Sequence, residues 1–271
     1  MKLSLLIIAV TAAIISTEVV DAAPSSMSNC VTQFSETIIN LLQNGQESTN
    51  FAQCTKDNSG NGYAAGVINF TTGSGDAWRV IKTFMSMKGY ANEFDEYKDN
   101  IDTYIQGNDG STEGLDNFCD GWKKASDNKS NSFWNAQETI LGTEYYKPAQ
   151  KQTSNLKIAL DVTKAAVLDS AIVDGPGSGK TSMGGIIKTT NNMINKDIKG
   201  DSGSTLSING YNVDEIAWLK LFLKRRTTVN SGSKPNVNAY NQIIKDREYN
   251  WDTSTLVVQD DSGEEHTLQC H

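Results

Sequence analysis

Histidine is almost missing from this chain: only His266 and His271 occur in 271 residues, both in the last six positions. Chemistry that turns on a positioned imidazole, whether a serine–histidine or cysteine–histidine nucleophile pair or histidine-ligated zinc, is thereby set aside. Any catalytic reading must rest on carboxylates. The four cysteines, Cys30, Cys54, Cys119 and Cys270, contain no CxxC pair and no zinc spacing, so no metal and no cofactor is expected. Past the first residues no stretch approaches the roughly 20 apolar residues of a membrane helix, and no membrane partner is expected. Basic side chains are in deficit, 24 against 32 acidic, for a formal net charge of −8. That balance is the reverse of the basic footprint of nucleic-acid binders. It suits a polycationic ligand, or simply keeps an exported protein in solution.

What is present begins with a signal peptide over residues 1–22. Lys2 supplies the positive charge, Leu3 to Ile15 is largely apolar, and Val20-Asp21-Ala22 offers small residues before a cut after Ala22. The remaining stretch, 23–271, suits one large domain of two lobes, with a C-terminal tail from about 258, secreted to the extracellular space as a monomer. In that oxidising compartment an even cysteine count favours two disulfides, and four cysteines permit three pairings. The expected pairing is Cys54 with Cys119 and Cys30 with Cys270, the second tying the termini together. Asn69-Phe-Thr and Asn128-Lys-Ser are glycosylation sequons, the first within a glycine-rich run.

Phe34, Ile38, Leu41 and Leu42 fall on one helix face, with Asn44-Gly45 as a stop and Gln43 at the helix end. From Cys54 to Gly75 the pattern breaks into turns and short strands. Helical spacing returns from Asp76 through Ile101, and again over 115–124, 132–141, 156–172, 182–195 and 213–226, with polar loops at 107–114 and 196–210. Helices dominate, giving a mainly α fold with a small β portion near 60–75.

Two segments carry motifs. Asp174-Gly-Pro-Gly-Ser-Gly-Lys-Thr-Ser182 imitates a phosphate-binding loop, but the position that requires the first glycine of GxxxxGK[ST] holds Asp174, whose charge would repel phosphates. Gly60 to Asp76 is the other: five glycines around a short apolar core, ending on a carboxylate, as in a chain turning tightly beside a cleft.

That run resembles the active-site segment of the chitosanases of glycoside hydrolase family 46. Gly175-Pro-Gly177, Thr181-Ser182 and Gly184-Gly-Ile186 resemble the family's second motif, in which the residue before the turn is His where this chain has Asp174. Trp122, Phe133-Trp-Asn-Ala-Gln137, Tyr145-Tyr-Lys-Pro-Ala149 and Phe222-Leu-Lys-Arg-Arg226 extend the likeness over about residues 34 to 252. The resemblance implies a lysozyme-like, mainly α, two-lobed fold with a long central helix, cleaving β-1,4-linked glucosamine with inversion. Inversion needs an acid and a base on opposite faces of the sugar, about 6.5–9.5 Å apart. The matching positions here carry Gln43 for the acid and Ser59 for the base, and the family's arginine after the base is Asn61. A second arginine, expected near Asn241 in support of the acid, is absent too. A carboxamide cannot act as a proton donor, and a serine without histidine cannot act as a base.

The expectation is therefore a chitosanase-like protein that has lost hydrolysis and still binds chitosan or a related amino-sugar polymer. The resemblance places Asn61, Tyr63, Asp76 and Asp174 at the ligand, while Asp169 and Arg226 are structural. Asp76 has a second reading as the cap of the helix that follows, and Ser182 as the cap of the next one. Two alternatives stand beside this: hydrolysis through relocated carboxylates, Glu47 and Asp57, or a secreted effector that uses the scaffold to bind a protein partner.

Overall fold

The computed structural model describes residues 29–57, 60–107, 110–128, 131–251, 255–260 and 262–270. The expected signal peptide, Ser59 and His271 lie outside these, as does the side chain of Gln43.

Helix α1 (Asn29–Asn44) leads into a three-stranded antiparallel sheet of β1 (Cys54–Lys56), β2 (Tyr63–Ala65) and β3 (Phe70–Thr71). Next come α2 (Asp76–Met85), a 3-10 turn (Asp95–Asn100), α3 (Ile101–Ile105), α4 (Phe118–Ser126) and α5 (Ser132–Ile140). A π-helical turn (Leu141–Tyr146) joins α5 to α6 (Lys147–Leu156), so the chain stays helical from 132 to 156. Then follow α7 (Asp161–Val173), α8 (Met183–Asn192), a hairpin of β4 (Thr205–Ile208) and β5 (Tyr211–Asp214), α9 (Glu215–Val229), α10 (Lys234–Lys245), and a last hairpin of β6 (Thr255–Gln259) and β7 (Glu265–Gln269).

Two hydrophobic cores result. One gathers residues from Cys54 to Tyr145 around Trp78, Phe118 and Trp122. The other joins the start of α1, through Val31, Phe34 and Ile38, to everything from Ala149 to Leu268. Tyr146 and Ile172 pack against both. The polypeptide thus leaves one core at the end of α1, builds the other, and returns through the π turn. The end of α1 and the glycine-rich run meet where the cores face each other.

Local chemistry explains the element ends. Gly45, at φ +64°, receives the chain after α1 and donates its N–H to Leu41 O at 2.9 Å, closing the helix as a left-handed glycine does. Gly66, at φ +72°, lies so close to Gln137 that a Cβ would come within 2.2 Å of Oε1. Gln137 Oε1 accepts from Val67 N at 3.2 Å, and its Nε2 donates to Phe51 O at 3.0 Å. The glycine-rich run is thereby stapled to α5.

Three expectations need correction. A continuous helix over 156–172 is replaced by α6, a break and α7: Lys157 turns left-handed at φ +55°. The amides freed at the break are taken by the buried Glu215, which accepts from Ala159 N at 3.0 Å and Leu160 N at 2.9 Å. The polar loop 196–210 contains β4, whose hairpin turns at Asn209-Gly210, with φ +52° and +84°. Such an Asn-Gly pair between alternating residues signals this turn in the sequence. The residues from about 258, expected as a tail, form most of the β6–β7 hairpin, with Leu256, Val258 and Leu268 buried in the second core.

Both disulfides pair as expected, Cys30–Cys270 and Cys54–Cys119. The first closes a sequence separation of 240 residues, for which removal costs about 2–5 kcal/mol. The double variant Cys30→Ser/Cys270→Ser is expected to melt on the order of 10 °C lower by calorimetry. An unchanged melting temperature would mean that the hairpin docks by apolar contact alone.

Candidate functional site

The junction of the cores begins with the polar stripe of α1. Glu36 and Asn40 recur at helical spacing, and Asn44 follows at its end. Gln53 Nε2 donates to both Asn44 Oδ1 and Asn69 Oδ1 at 2.9 Å, and Asn69 Nδ2 donates to Asn44 Oδ1 at 2.8 Å. Asn44 also donates to Asn40 Oδ1 at 3.5 Å. The end of α1 is thus tied to the sheet and to the glycine-rich run by carboxamides. This network engages Nδ2 of Asn69, the nitrogen that glycosylation would need.

A cavity of about 230 Å³ lies between α1 and the α5–π-turn junction, lined by Glu36, Asn40, Thr49, Phe51, Val67, Ile68, Glu138 and Leu141. The Tyr146 hydroxyl donates to Glu36 Oε1. Burial pushes the Glu36 carboxyl up from its ordinary value, Glu138 adds to the rise, and the Tyr146 hydrogen bond opposes it. A larger, more open pocket of about 520 Å³ shares Glu36 and Thr49 with the first and reaches Glu47 and the β7 residues Thr267 to Gln269. Glu36 therefore stands where two pockets meet. Sequence reasoning missed it, although it lies seven residues before Gln43 in α1.

The two carboxylates expected as replacements are otherwise engaged. Asp57 Oδ2 accepts from Asn61 N at 3.2 Å, and the Asp57 backbone N–H donates to Gly62 O at 2.8 Å, so Asp57 closes the turn into β2. Glu47 Oε1 faces His266 Nδ1 at 3.0 Å, with Asp260 Oδ2 3.5 Å from the other ring nitrogen. The bond to Glu47 raises the His266 pKa, slight desolvation opposes it, and Asp260 adds to the rise. A raised folded-state pKa contributes stability that is full below the unfolded value of about 6.5 and is lost as pH rises through the folded value. The melting temperature of His266→Gln is therefore expected to fall below that of the native chain at mildly acidic pH, and to match it at alkaline pH. A deficit independent of pH would exclude the ion pair.

The expected ligand residues fare unequally. Asn61 is exposed at the turn, and Tyr63 is half-buried, its ring stacked on Phe118 at 5.4 Å and 14°. Asp76 points inward. Its Oδ1 accepts from Thr71 N, Ser74 Oγ and Ala77 N at 2.6, 2.6 and 2.8 Å, and its Oδ2 from the Tyr145 hydroxyl at 2.7 Å. Burial raises its pKa against these hydrogen bonds. It is neither open to a ligand nor the cap of α2, a position that falls to Gly75. Asp174 needs the same correction: it accepts from Arg226 Nε at 2.7 Å, Asn230 Nδ2 at 2.8 Å and Ser170 Oγ at 2.7 Å, and also from the Ser233 hydroxyl, with its side chain fully enclosed. A ligand would have to displace a buried arginine.

Asp169 and Arg226 form a buried ion pair. Arg226 Nη1 lies 2.6 Å from Asp169 Oδ2, both fully buried, and Asn236 Nδ2 donates to Asp169 Oδ1 at 2.7 Å. The glycine loop before α8 spends the helix's first amides on itself, Met183 N on Gly175 O and Gly184 N on Gly177 O, each at 2.9 Å. Ser182 holds the N-cap position of α8 as expected, but its hydroxyl donates to Gly179 O at 2.8 Å and makes no side-chain bond to the helix amides.

A mainly helical chain with two cores, a small sheet in the first and a carboxylate-bearing groove between α1 and α5 has a lysozyme-like fold. Solved chitosanases share it. The native chitosanase of Bacillus subtilis MY002 superposes with a TM-score of 0.76 at 21% identity, over 90% of this chain and 100% of that one. A Gynuella sunshinyii chitosanase in complex with chitotetraose gives 0.77 at 22%, over 91% and 100%. The model of glycosyl hydrolase family 46 matches residues 37–250, and the chain belongs to that family. The chitosanase of Bacillus subtilis strain 168 is 26% identical over 191 residues, 70% of this chain and 64% of that protein. A Nocardioides chitosanase is 28% identical over 170 residues, 63% of this chain and 55% of its own length. The aligned stretch thus spans less than two thirds of either relative.

Proposed function

We propose that this chain is an exported, chitosanase-like protein that binds an amino-sugar polymer without hydrolysing it through the family's two carboxylate positions. The observation that carries the reading is the setting of the acid position: Gln43 sits on α1 beside Asn44, whose partners Asn40, Gln53 and Asn69 are all carboxamides. A carboxamide has no proton to give at a usable pKa, and general acid or base help accounts for about 10²–10⁴-fold each. The base position carries Ser59. Glu47 and Asp57 do not replace the lost pair, since one is committed to His266 and the other to its own turn.

The ligand class follows from the relatives, which are chitosanases, one of them solved with chitotetraose. The net charge of −8 suits a polycation. Export is supported by the apolar first stretch and the two disulfides. The test is retention on chitosan beads at low salt together with a reducing-end assay. Retention without new reducing ends is expected. Turnover that disappears in Glu47→Gln or Asp57→Asn would overturn the inactive reading, and no retention at low salt would overturn the ligand.

A further inference from the structure

The pocket between α1 and α5 holds a combination of groups that neither family position supplies. Glu36 and Glu138 line it, and among the described residues no lysine, arginine or histidine does. The hydrogen-bond partner of Glu36 there is the neutral Tyr146 hydroxyl, and Glu138 is exposed on α5, so two carboxylates share a half-apolar cavity whose described lining holds no cation. At about 230 Å³ the cavity is smaller than the roughly 300–1,000 Å³ of ordinary ligand pockets. It suits one small charged head group.

One helical turn before Glu138 on α5 stands Trp134, which is 37% exposed. Its exposure is not looseness. The indole lies on Phe51 at 4.8 Å and 9°, and its Nε1 donates to Ser126 O at 2.9 Å. Phe51 is itself held by its carbonyl, which accepts from Trp122 Nε1, Ser126 Oγ and Gln137 Nε2 at 2.9, 2.9 and 3.0 Å. One aromatic face is therefore pressed against the protein while the other is presented rigidly to solvent. Phe51 also walls the pocket, so platform and carboxylates share a support.

A rigid aromatic face beside uncompensated carboxylates is complementary to a ligand with a flat C–H face and an ammonium on its edge. We propose that Trp134, backed by Phe51, and the Glu36–Glu138 pocket bind a short run of glucosamine units, one pyranose lying on the indole and the ammonium of the adjoining unit between the two carboxylates. This rests on the amino-sugar reading above and assigns it a location. Enclosure pushes the Glu36 carboxyl up from its ordinary value, and a cation between the two carboxylates would oppose that rise.

The test exploits an optical accident. Trp78, Trp122, Trp218 and Trp251 are fully buried, leaving Trp134 as the exposed indole of five. Titrating the full chain with glucosamine tetramer is expected to change tryptophan emission, with no change for the N-acetylglucosamine tetramer, which lacks the charge. Glu36→Gln with Glu138→Gln, isosteres that keep an acceptor for Tyr146, is expected to weaken binding about ten- to a hundredfold, and Trp134→Ala to lower retention on chitosan. Equal response to the acetylated oligomer, or unchanged affinity in the double variant, overturns the site. If the native chain is retained on chitosan and these variants are retained equally, the site falls and the amino-sugar reading stands. If the native chain is not retained, that reading falls, and the soluble titration still decides the pocket because it needs no access for a polymer.

Discussion

Hydrolysis of chitosan is expected to appear only in the double variant Gln43→Glu/Ser59→Asp, and to be absent from the native chain and from either single variant. Inversion requires proton donation to the leaving oxygen and activation of water on the opposite face, and one carboxyl cannot do both in the same step. Each group contributes about 10²–10⁴-fold, so a single restoration leaves the rate near background while the pair raises it by orders of magnitude. Full family rates are not expected. On the proposed reading Asn61 takes the place of an arginine, and the carboxamides of Asn44, Gln53 and Asn69 supply dipoles in place of a balancing charge. The readout is reducing ends released over hours. Activity in the native chain that survives Glu47→Gln and Asp57→Asn would point to another acid, and Glu36, enclosed at the meeting of the two pockets, would be the first to substitute.

Arg226→Leu is expected to destabilise the fold by about 3–5 kcal/mol, the cost of stranding a buried charge. Arg226 is fully buried and bridges Asp169 at 2.6 Å and Asp174 at 2.7 Å, so its loss leaves two enclosed carboxylates facing each other without a cation. Against a typical total of about 5–15 kcal/mol, this is a large fraction. Chemical denaturation should show a marked fall in midpoint. Adding Asp169→Asn and Asp174→Asn to Arg226→Leu should recover part of the loss, because the residual penalty is then of unpaired dipoles and not of charge. If Arg226→Leu alone is neutral, the network is not the keystone of the second core.

The helices from Asp76 onward were legible because their apolar residues recur at helical spacing, and the even cysteine count pointed to two disulfides while leaving three pairings open. The β4–β5 hairpin was legible in principle from Asn209-Gly210, but serine- and glycine-rich flanks hid the alternation of Leu206 and Ile208. The break at Lys157 was not legible. Nothing local requires it, and it is set by Glu215, distant in sequence, claiming the amides of Ala159 and Leu160. The same limit governs the site. Counting from Tyr63 yields the proposed acid and base positions, whereas the inward turn of Asp76 and Asp174 depends on partners such as Tyr145 and Arg226. Glu36 and Trp134 matter through their packing against Tyr146 and Phe51, which one-dimensional spacing does not reveal.

The central claim is that the chain holds an amino-sugar polymer without cutting it. Size-exclusion chromatography with light scattering, on soluble chitosan incubated for a day with a stoichiometric amount of the native chain, measures both halves at once. The account predicts that protein elutes with the polymer and that the polymer keeps its starting mass. A polymer of falling mass, or protein eluting apart from it, would contradict the account.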